Sequence, residues 1–574
     1  MGPRPDLDVH GTPETRADHM TRLSSPTHRR PSRPGRPSRS RGERRTRALR
    51  RLKAGAALAA GLLLLGFAAP AQAVDPTVSI NNKRTGWDAS EPNLSPAKVS
   101  SSAFGQRWST PVNGAVLAQP LVTGSNVIAA TENNYVYGID PATGKTNWTR
   151  QLGPAWPTST VHCNDPAAHT GITATPVYDP ASNTVYTLGK ANDGPDAQHP
   201  HWYLHALDAS TGAERTGWPV TVQGTPTNSP GHPFNPMTAN GRPGLLLMNG
   251  SVYAAFASYC DTEPYVGQVA GVNIGSRKVT LWSTEAGSDT MEGGIWQSGG
   301  GLVSDGGGRI FLATGNGAGT GASPSQGPGN RPPAHLGESV VRLGVNSDGS
   351  LSARDFFSPT NNRTMDTNDT DLGSGGPTAL PSGFGTAAHP HLLVEVGKDG
   401  RVFLLDRDNL GGMGQGPNGT DNPVSMAGPF EGIWGHPAVF GGGGGYIYTV
   451  ATDTGNGRSP MRALKYSVNG SGVPVLTSIG TSNEGFGYGS GSPVVTSNGT
   501  SPSSALVWAV WSGSGANGVG GELRAYDAVP VNGVMHLRRS FPIGTAAKFV
   551  VPATDGGRVF VGTRDGHIVG FGSQ

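Results

Sequence analysis

Cysteine and charge are both scarce in this chain of 574 residues. Only 14% of the residues are charged, and the two cysteines are Cys163 and Cys260. Two cysteines are too few for a four-cysteine zinc site, and their spacing does not form a Cys-x-x-Cys-His haem attachment. In an oxidising compartment, which the leader described below indicates, we expect them to form one disulfide.

Long helices and common catalytic motifs are also missing. No segment has the apolar periodicity of a long amphipathic helix. The sequence has neither His-Glu-x-x-His nor a Gly-x-Ser-x-Gly at a strand-to-helix turn, so it gives no support to a hydrolase. The glycine-rich stretch 315–333 lacks the Lys-Ser/Thr ending of a phosphate-binding loop, and no strand–helix context surrounds a dinucleotide fingerprint.

The first 73 residues have the composition of a leader. Residues 1–53 hold fifteen Lys/Arg against five Asp/Glu with few large apolar residues, which predicts a disordered basic segment. Residues 54–73, "AGAALAAGLLLLGFAAPAQA", are a short apolar run ending in a small-x-small site. This order is typical of a secretory signal peptide with cleavage after Ala73. Arg50-Arg51 precedes the apolar run, and Sec versus Tat export stays open.

Without the leader, the chain is mildly acidic. Residues 54–574 contain 28 Lys/Arg and 35 Asp/Glu, a net charge of about −7, so no nucleic-acid partner is expected. No cysteine near the cleavage site offers a lipid anchor, and no stable membrane anchor is expected. We therefore expect a secreted, extracellular monomer.

The clearest positive signal is a repeated phrase. "YVYGIDPATGKTNW" at 135–148 and "YLHALDASTGAERTGW" at 203–218 each read as an alternating strand, an Asp-x-x-Thr-Gly turn and a Trp that opens the next strand. Strand–turn–strand units that recur at such intervals are typical of propellers and solenoids.

Eight phrases of small residues followed by apolar ones punctuate the chain, and each is expected to form the innermost strand of one sheet. They begin at 117, 173, 241, 298, 374, 434, 490 and 549. The spacing predicts an all-β, eight-bladed β-propeller over residues 104–574, with seven blades as the alternative. "FGQRWSTPV" (104–112) is expected to complete the last blade and close the ring, and residues 74–103 form an N-terminal extension.

The two phrases with Asp-x-x-Thr-Gly resemble the repeats of β-propellers with pyrroloquinoline-quinone (PQQ)-type repeats, a family that includes quinoprotein alcohol dehydrogenases and BamB-type assembly propellers. The resemblance covers about 104–572 and is loose after the second blade. For the dehydrogenases it implies PQQ and Ca²⁺ in the central funnel and an Asp as base. This chain cannot make the adjacent-cysteine disulfide of those enzymes.

Three connections between blades each carry a Glu followed by Gly and a large residue. They are "MEGGIW" (291–296), "FEGIW" (430–434) and "NEGFGY" (483–488). Propeller topology places these connections on one face, so Glu292, Glu431 and Glu484 are candidate Ca²⁺ ligands and cofactor contacts. Trp296 and Trp434 are candidate stacking surfaces for a cofactor or sugar. The alternative is that these residues only stabilise their own loops.

Two aspartates from the fourth connection, Asp369 and Asp371, are the candidate catalytic bases, with turn formation as the alternative. His436 lies close by in sequence and is more typical of a packed histidine than of a base. Two functions follow. The first is a secreted binding module that takes a small molecule, glycan or secreted protein at the funnel face, and the alternative is a PQQ/Ca²⁺-dependent dehydrogenase acting on an alcohol or sugar.

Overall fold

The structure of the chain is a computed structural model that describes residues 75–163, 167–287, 291–317, 324–452, 459–513 and 517–574. The predictions for the leader, residues 1–53, and for the signal peptide, 54–73, lie outside this range. None of the helices within the described residues is long and apolar enough to cross a membrane.

Eight antiparallel sheets form the eight blades of a β-propeller, which confirms the predicted fold and count. The seven-blade alternative is wrong. In each blade the strands follow one another outward from the axis, so neighbouring strands pair as hairpins. Blade 1 consists of Leu121–Val122, Val127–Ala130, Tyr135–Ile139 and Thr146–Gln151, and blade 2 of Val177–Asp179, Thr184–Ala191, His201–Asp208 and Val220–Thr221. Blade 3 consists of Leu246–Met248, Ser251–Phe256, Gln268–Asn273 and Val279–Ser283, and blade 4 of Arg309–Ala313, Val340–Val345 and Leu351–Phe357.

Blades 5 to 8 repeat the arrangement with two additions. Trp87–Asp88 joins the inner edge of blade 7, and Val534–Met535 pairs in parallel with the outer strand of blade 6. Blade 5 consists of Thr378–Ala379, Leu392–Val396, Val402–Asp406 and Ser425–Ala427, and blade 6 of Ala438–Phe440, Tyr446–Val450, Ser459–Val468 and Pro474–Phe486. Blade 7 consists of Val494–Thr496, Leu506–Trp511, Val519–Asp527 and Leu537–Thr545, and blade 8 of Ala553–Asp555, Arg558–Gly562, His567–Ser573 and Phe104–Pro111.

The segments outside the blades are short. Trp156–Pro157 pairs with His169–Thr170 in the connection between blades 1 and 2. The α-helices are Pro96–Val99 and Asn362–Thr367, and the 3₁₀ turns are Thr158–Val161, Leu372–Ser374, Pro417–Gly419, Gly442–Gly444 and Pro502–Ser504.

The ring closes through the strand predicted for this role. Phe104–Pro111 pairs with the last strand, from Phe104 opposite Ser573 to Pro111 opposite His567, and forms the outer edge of blade 8. The two ends of the propeller are therefore held in one sheet.

The repeated turn works as its residues indicate. One Asp140 carboxylate oxygen accepts hydrogen bonds from the backbone of Ala142 and Thr143 and from the Thr143 hydroxyl, at 2.8 to 3.0 Å. In blade 3, Asn273 accepts the equivalent bonds from the backbone and hydroxyl of Ser276 at 2.8 and 3.0 Å. The turn of blade 3 therefore has the same hydrogen bonds as the turn of blade 1, although Asn and Ser replace Asp and Thr. Asn offers the same acceptor as Asp, and Ser the same hydroxyl donor as Thr.

The repeated Trp packs against the turn of the next blade. The Trp148 ring lies where a side chain on Gly212 would project, so only glycine fits beneath it. At the equivalent place in blade 3 stands Arg277, and its guanidinium stacks 4.4 Å from the Trp218 ring centroid instead. Trp and Gly recur together where the outer strand of one blade packs on the turn of the next, as Trp148 does on Gly212.

Residues 75–91, here called the N-terminal plug, bond with every blade in turn. From blade 1 to blade 8, the pairs are Asp75 with Val122, Pro76 with Tyr178, Thr77 with Leu245, Asn82 with Ser304, Lys83 with Ala379, Thr85 with Val439, Gly86 with Val495, and Asp88 with Thr554. A segment that bonds the inner edges of all eight blades must lie in the central channel. The plug therefore closes that channel, a role that the sequence did not reveal.

Arg84 is the most buried cation of the plug, with no exposed surface. Its guanidinium donates to the carbonyl oxygens of Leu302 at 3.0 Å and Leu245 at 2.9 Å, which belong to different blades. It also donates to Thr77 and Val78 within the plug. Burial lowers the pKa of Arg84 to about 9, although nearby Asp75 opposes the shift. The side chain thus ties the plug to the channel wall.

Candidate functional site in the central funnel

A cavity of about 200 Å³ opens above the plug on the face that carries the connections between blades. Its walls come from the connections that follow blades 2 to 7 and from the second-to-third-strand loops of blades 3 and 5. This is the face on which the sequence placed the candidate residues. The wall contains aromatic, ionic and small polar side chains in separate groups.

Four aromatic side chains, Trp296, Trp434, Tyr488 and Phe549, form the apolar part of the wall. The Trp434 and Tyr488 rings meet edge to face at 5.7 Å, and Tyr488 meets Phe549 in the same way at 5.9 Å. Trp296, Trp434 and Tyr488 are each partly exposed and so present ring surface to the cavity. The two tryptophans were candidates from the sequence, whereas Tyr488 and Phe549 were not.

Lys398 organises the two candidate bases. Its ammonium lies 2.6 Å from an Asp369 carboxylate oxygen and 2.5 Å from one of Asp371. Burial alone would lower the pKa of Lys398, but the two carboxylates outweigh it and raise that pKa well above its usual value. Asp371 also accepts a hydrogen bond from the Asn316 backbone at 3.0 Å. Both aspartates line the cavity, but they are already engaged with a cation.

Asp261 adds a further carboxyl to the wall. Its pKa is raised, first by burial and then by the charge of Asp371, and it accepts a hydrogen bond from the Tyr265 hydroxyl at 3.1 Å. Glu292 lies behind it, outside the cavity wall. Burial and then the charges of Glu263 and Asp261 raise the pKa of Glu292 to about 7. This group of carboxyls therefore carries less negative charge near neutral pH than its composition indicates.

The other two candidate glutamates lie elsewhere. Glu431 is exposed and pairs with Arg462 at 2.9 Å. Glu484 is part of the outer strand Pro474–Phe486 and not of the connection after it, because that strand runs longer than the sequence indicated. Within the described residues, no group of three or more His, Cys, Asp or Glu is arranged to hold a metal ion. The structure therefore does not bring Glu292, Glu431 and Glu484 together as a ligand set.

His436 is packed in the channel wall. Its Nε2 lies 3.0 Å from the Pro377 carbonyl oxygen and 2.9 Å from the Thr378 hydroxyl. Since a carbonyl oxygen only accepts, Nε2 carries the proton and donates it. Burial lowers the pKa of His436 to about 4, so the ring is neutral at physiological pH. These contacts fit a structural histidine.

The two cysteines, predicted from the sequence to pair, form a disulfide whose Cα atoms are 5.9 Å apart. Cys163 lies in the connection after blade 1, and Cys260 follows the second strand of blade 3 and lines the cavity. The bond spans 97 residues of sequence and joins loops of two blades that are not neighbours. It holds one side of the funnel wall in place.

Several residues of the wall adopt the left-handed backbone conformation that side chains other than glycine rarely take. Cys260, Asp261, Asp369 and Phe549 have φ of 47°, 51°, 50° and 59°. For a bulky residue such as Phe549 this conformation is uncommon, and such strain concentrates at binding sites. The loops of the funnel thus hold side chains in positions that a relaxed loop would not give.

The funnel ends at the plug. Below the main cavity, a space of about 20 Å³ is lined by Arg242, Lys548, Phe549 and Gln119, among others. The Gln119 side chain donates to Asp75 at 2.7 Å and accepts from the Ser79 backbone at 2.8 Å, and both belong to the plug. The funnel is therefore open on one face and closed on the other. Sequence reasoning missed Arg242, since a single Arg after a connection carries no motif.

Comparison with known proteins identifies the repeat type. A family model described as outer membrane protein assembly factor BamB matches residues 100–255. No curated protein matches the chain. The matched region contains both Asp-x-x-Thr-Gly phrases. The resemblance to β-propellers with PQQ-type repeats is confirmed over this part of the chain.

Solved structures share the fold at low identity. Quinohemoprotein alcohol dehydrogenase from Comamonas testosteroni is 15% identical with a TM-score of 0.54, and the match covers 87% of this chain and 80% of that chain. The quinohemoprotein alcohol dehydrogenase ADHIIG from Pseudomonas putida is 13% identical with a TM-score of 0.56 and the same coverage, 87% and 80%. BamB from Moraxella catarrhalis is 11% identical with a TM-score of 0.47, over 82% of this chain and 99% of that chain.

The funnel does not fit a quinone held by Ca²⁺. The candidate glutamates do not converge, and the described residues offer no cluster of three metal-ligating side chains. Asp369 and Asp371, the candidate bases, are held by Lys398. A cavity of about 200 Å³ is also small for a cofactor of three fused rings, because drug-sized ligands occupy roughly 300–1,000 Å³.

Proposed function

We propose that this PQQ-repeat-like β-propeller is a secreted binding module that takes a small, single-ring ligand in its funnel. The observation that carries the proposal is the cavity above the plug, which four aromatic side chains and a set of polar groups line together. Sites for small molecules are typically concave and apolar, with a few polar groups that fix orientation. The funnel is concave and has an aromatic group, but most of its lining side chains are polar, which favours a ligand with several polar groups.

The shape of the funnel favours a small molecule over a long chain. The plug closes the lower end, so a polymer cannot thread through the axis. The volume of about 200 Å³ suits one ring, and the edge-to-face aromatic pairs expose ring faces on which that ring can stack. A glycan would enter only by its terminal sugar.

The alternative, a PQQ/Ca²⁺-dependent dehydrogenase, receives less support. The base proposed for it would be Asp369 or Asp371, and taking up a proton would neutralise that carboxylate and cost it any ion pair that it makes. Both carboxylates accept from the Lys398 ammonium, and Asp371 also accepts from a backbone N–H. No residue of this funnel is therefore assigned a catalytic role.

The proposal is tested by calorimetric titration of the protein with monosaccharides, sugar acids, small aromatic acids and PQQ with and without Ca²⁺. We expect one of the single-ring compounds to bind, and Trp434→Ala to weaken that binding at least tenfold because a stacking face is lost. The matched control is Trp218→Ala, since Trp218 packs on Arg277 between outer strands and away from the funnel.

Two results would contradict the proposal. Tight, Ca²⁺-dependent binding of PQQ would favour the alternative, a PQQ/Ca²⁺-dependent dehydrogenase. Equal losses of affinity in Trp434→Ala and Trp218→Ala would show that the ligand does not use the funnel.

A further inference from the structure

The most unusual cation of the funnel is Arg242, which lines both the main cavity and the small space beneath it. Within the described residues, its guanidinium has neither a hydrogen bond nor an ion pair. Its nearest aromatic contact is the Phe549 ring, whose centroid lies 5.5 Å away. A guanidinium carries five N–H donors in a planar fork that matches a carboxylate.

The charge of Arg242 acts on the Glu132 carboxyl, but no ion pair joins the two within the described residues. Glu132 is buried and accepts a hydrogen bond from the Gly171 backbone at 2.9 Å. Burial raises the pKa of Glu132 to about 7, which reduces its charge near neutral pH. Lys548 lines the same lower space, with its ammonium 4.8 Å from the Tyr488 ring centroid. Arg242 and Lys548 thus place two cationic side chains at the deep end of the funnel.

Two polar side chains of the cavity wall, one of them in the same connection as Arg242, have polar atoms that lack partners. Asn240 and Ser258 are buried to 2% and 0% exposure and line the cavity. The Asn240 side-chain carbonyl and the Ser258 hydroxyl have no hydrogen-bond partner within the described residues. An unpaired buried polar group costs about 1–3 kcal/mol, and a ligand that supplies the missing partner recovers that cost. A carbonyl oxygen needs a donor, and ring hydroxyls are donors.

We propose that the funnel ligand is a sugar acid, that is, a single hydroxylated ring bearing a carboxylate that pairs with Arg242. This inference rests on the proposed function and adds the chemical class of the ligand. The carboxylate lies against Arg242 at the deep, cationic end, the ring faces stack on Trp434 and Tyr488, and the ring hydroxyls bond Asn240 and Ser258. Charge-assisted bidentate pairing of this kind is stronger than a bond between neutral groups.

The experiment compares matched probes by calorimetry on the whole protein. D-Glucuronate is set against D-glucuronamide, which has the same ring without the charge, and 4-hydroxybenzoate is set against its amide. We expect glucuronate to bind at least tenfold more tightly than glucuronamide, and to bind more tightly than 4-hydroxybenzoate, which cannot place several ring hydroxyls.

Arg242→Gln is expected to reduce the preference for glucuronate over its amide to about twofold or less, and Arg242→Lys to keep part of it. Arg277→Gln is the control, because Arg277 also stacks on an aromatic ring but lies outside the funnel. It should leave the preference unchanged. Because Arg242 makes no hydrogen bond in the described structure, its variants should melt within a few degrees of the parent.

Several results would overturn the inference. These are equal binding of the acid and its amide, a preference that survives in Arg242→Gln, stronger binding of 4-hydroxybenzoate, or no binding of any of these probes. If a neutral ring binds instead and Trp434→Ala weakens it, the sugar-acid inference fails while the proposed function stands. If no single-ring compound depends on Trp434, both fail.

Discussion

The Trp108 ring covers Gly144, so that a Cβ atom added to Gly144 would lie 2.6 Å from the ring carbons of Trp108. Trp108 belongs to the strand that closes blade 8, and Gly144 to the turn of blade 1, so this contact joins the two ends of the ring. Gly144 also has a φ of 71°. The contact thus combines close packing with a conformation that favours glycine.

Gly144→Ala is expected to destabilise the protein by about 2–4 kcal/mol, because overpacking and a left-handed backbone each cost about 1–2 kcal/mol. Urea unfolding at constant pH measures this difference. The control is Gly250→Ala, which has a φ of 70° but nothing within 4 Å of its added Cβ. It carries the backbone cost alone and should lose only about half as much. Equal losses would show that the Trp108 contact adds nothing.

The fold could be predicted because its repeat is local. The alternating strand, the Asp-x-x-Thr-Gly turn and the Trp lie within about fifteen residues of each other, so the sequence of a single blade is enough to predict its strands and turn. Blade 3 was harder, since Asn273 and Ser276 make the same turn with other side chains. The plug was not predictable, because its partners are backbone groups dispersed over eight blades and leave no pattern in residues 75–91.

A buried carboxyl in the plug should make the free energy of unfolding depend on pH. The Glu91 carboxyl is buried, and one of its oxygens accepts from the Gly557 backbone at 2.8 Å. Burial, and then the charge of Asp88, raise the pKa of Glu91 from 4.5 to about 8. Asp555 behaves alike, its pKa raised to about 7 by burial and by Asp88. At a pH between the usual pKa of such a carboxyl and its raised pKa in the folded protein, the folded protein keeps a proton that the unfolded chain releases.

A raised carboxyl pKa makes the folded state less stable as pH rises through the window between the two pKa values. For Glu91 this window runs from about 4.5 to about 8. Glu91→Gln does not titrate and keeps an acceptor for the Gly557 N–H, so its stability relative to the parent should improve by roughly 4 kcal/mol from pH 4.5 to 8. Urea midpoints at several pH values measure this. The control is Glu431→Gln, which removes a surface ion pair and should change stability by less than about 1 kcal/mol. Parallel profiles for Glu91→Gln and the parent would refute the prediction.

The ion triad of the funnel wall gives a test of its energetics. Asp371 is 8% exposed and Asp369 is 67% exposed, and both contact Lys398. Lys398→Met leaves the Asp371 carboxylate buried without its cation, which should cost about 3–5 kcal/mol in the free energy of unfolding. Adding Asp371→Asn removes the stranded charge and should restore most of the loss.

The matched control for this pair is Lys398→Met with Asp369→Asn. Because Asp369 is largely in water, its neutralisation should restore less than about 1 kcal/mol. Equal rescue by the two asparagine substitutions would show that burial of Asp371 is not the source of the loss. Thermal or urea unfolding of the three variants and the parent measures these differences.

Only some of the funnel residues could be predicted from the sequence. Trp296, Trp434, Asp369 and Asp371 were placed on the right face because connection topology fixes that face for any propeller. Glu484 was misplaced because the outer strand of blade 6 continues through it. Arg242 and Lys398 carry no motif, and their importance comes from what they contact or fail to contact, which only the folded chain shows.

Arg84 provides the sharpest test of the plug. Its guanidinium bonds the Leu302 and Leu245 carbonyl oxygens of two blades and is fully buried. Arg84→Met removes these donors, so the Leu302 carbonyl oxygen loses its charged partner and the Leu245 carbonyl oxygen keeps only the Thr77 hydroxyl. This should destabilise the protein by about 3–5 kcal/mol, since each hydrogen bond to a charged group contributes about 1.5–3 kcal/mol. Arg84→Lys keeps the charge but cannot bond both blades at once, so it should recover only a part.

The control is Arg150→Met, because Arg150 is exposed on the outer strand of blade 1 and should change stability by less than about 0.5 kcal/mol. Limited proteolysis adds a second readout. If the plug is held by Arg84, Arg84→Met should be cleaved within residues 75–91 before the blades are attacked, since a loosened plug exposes its backbone first. Cleavage in the blades at the same rate would mean that the plug and the ring unfold together, and that Arg84 stabilises the whole propeller without holding the plug in particular.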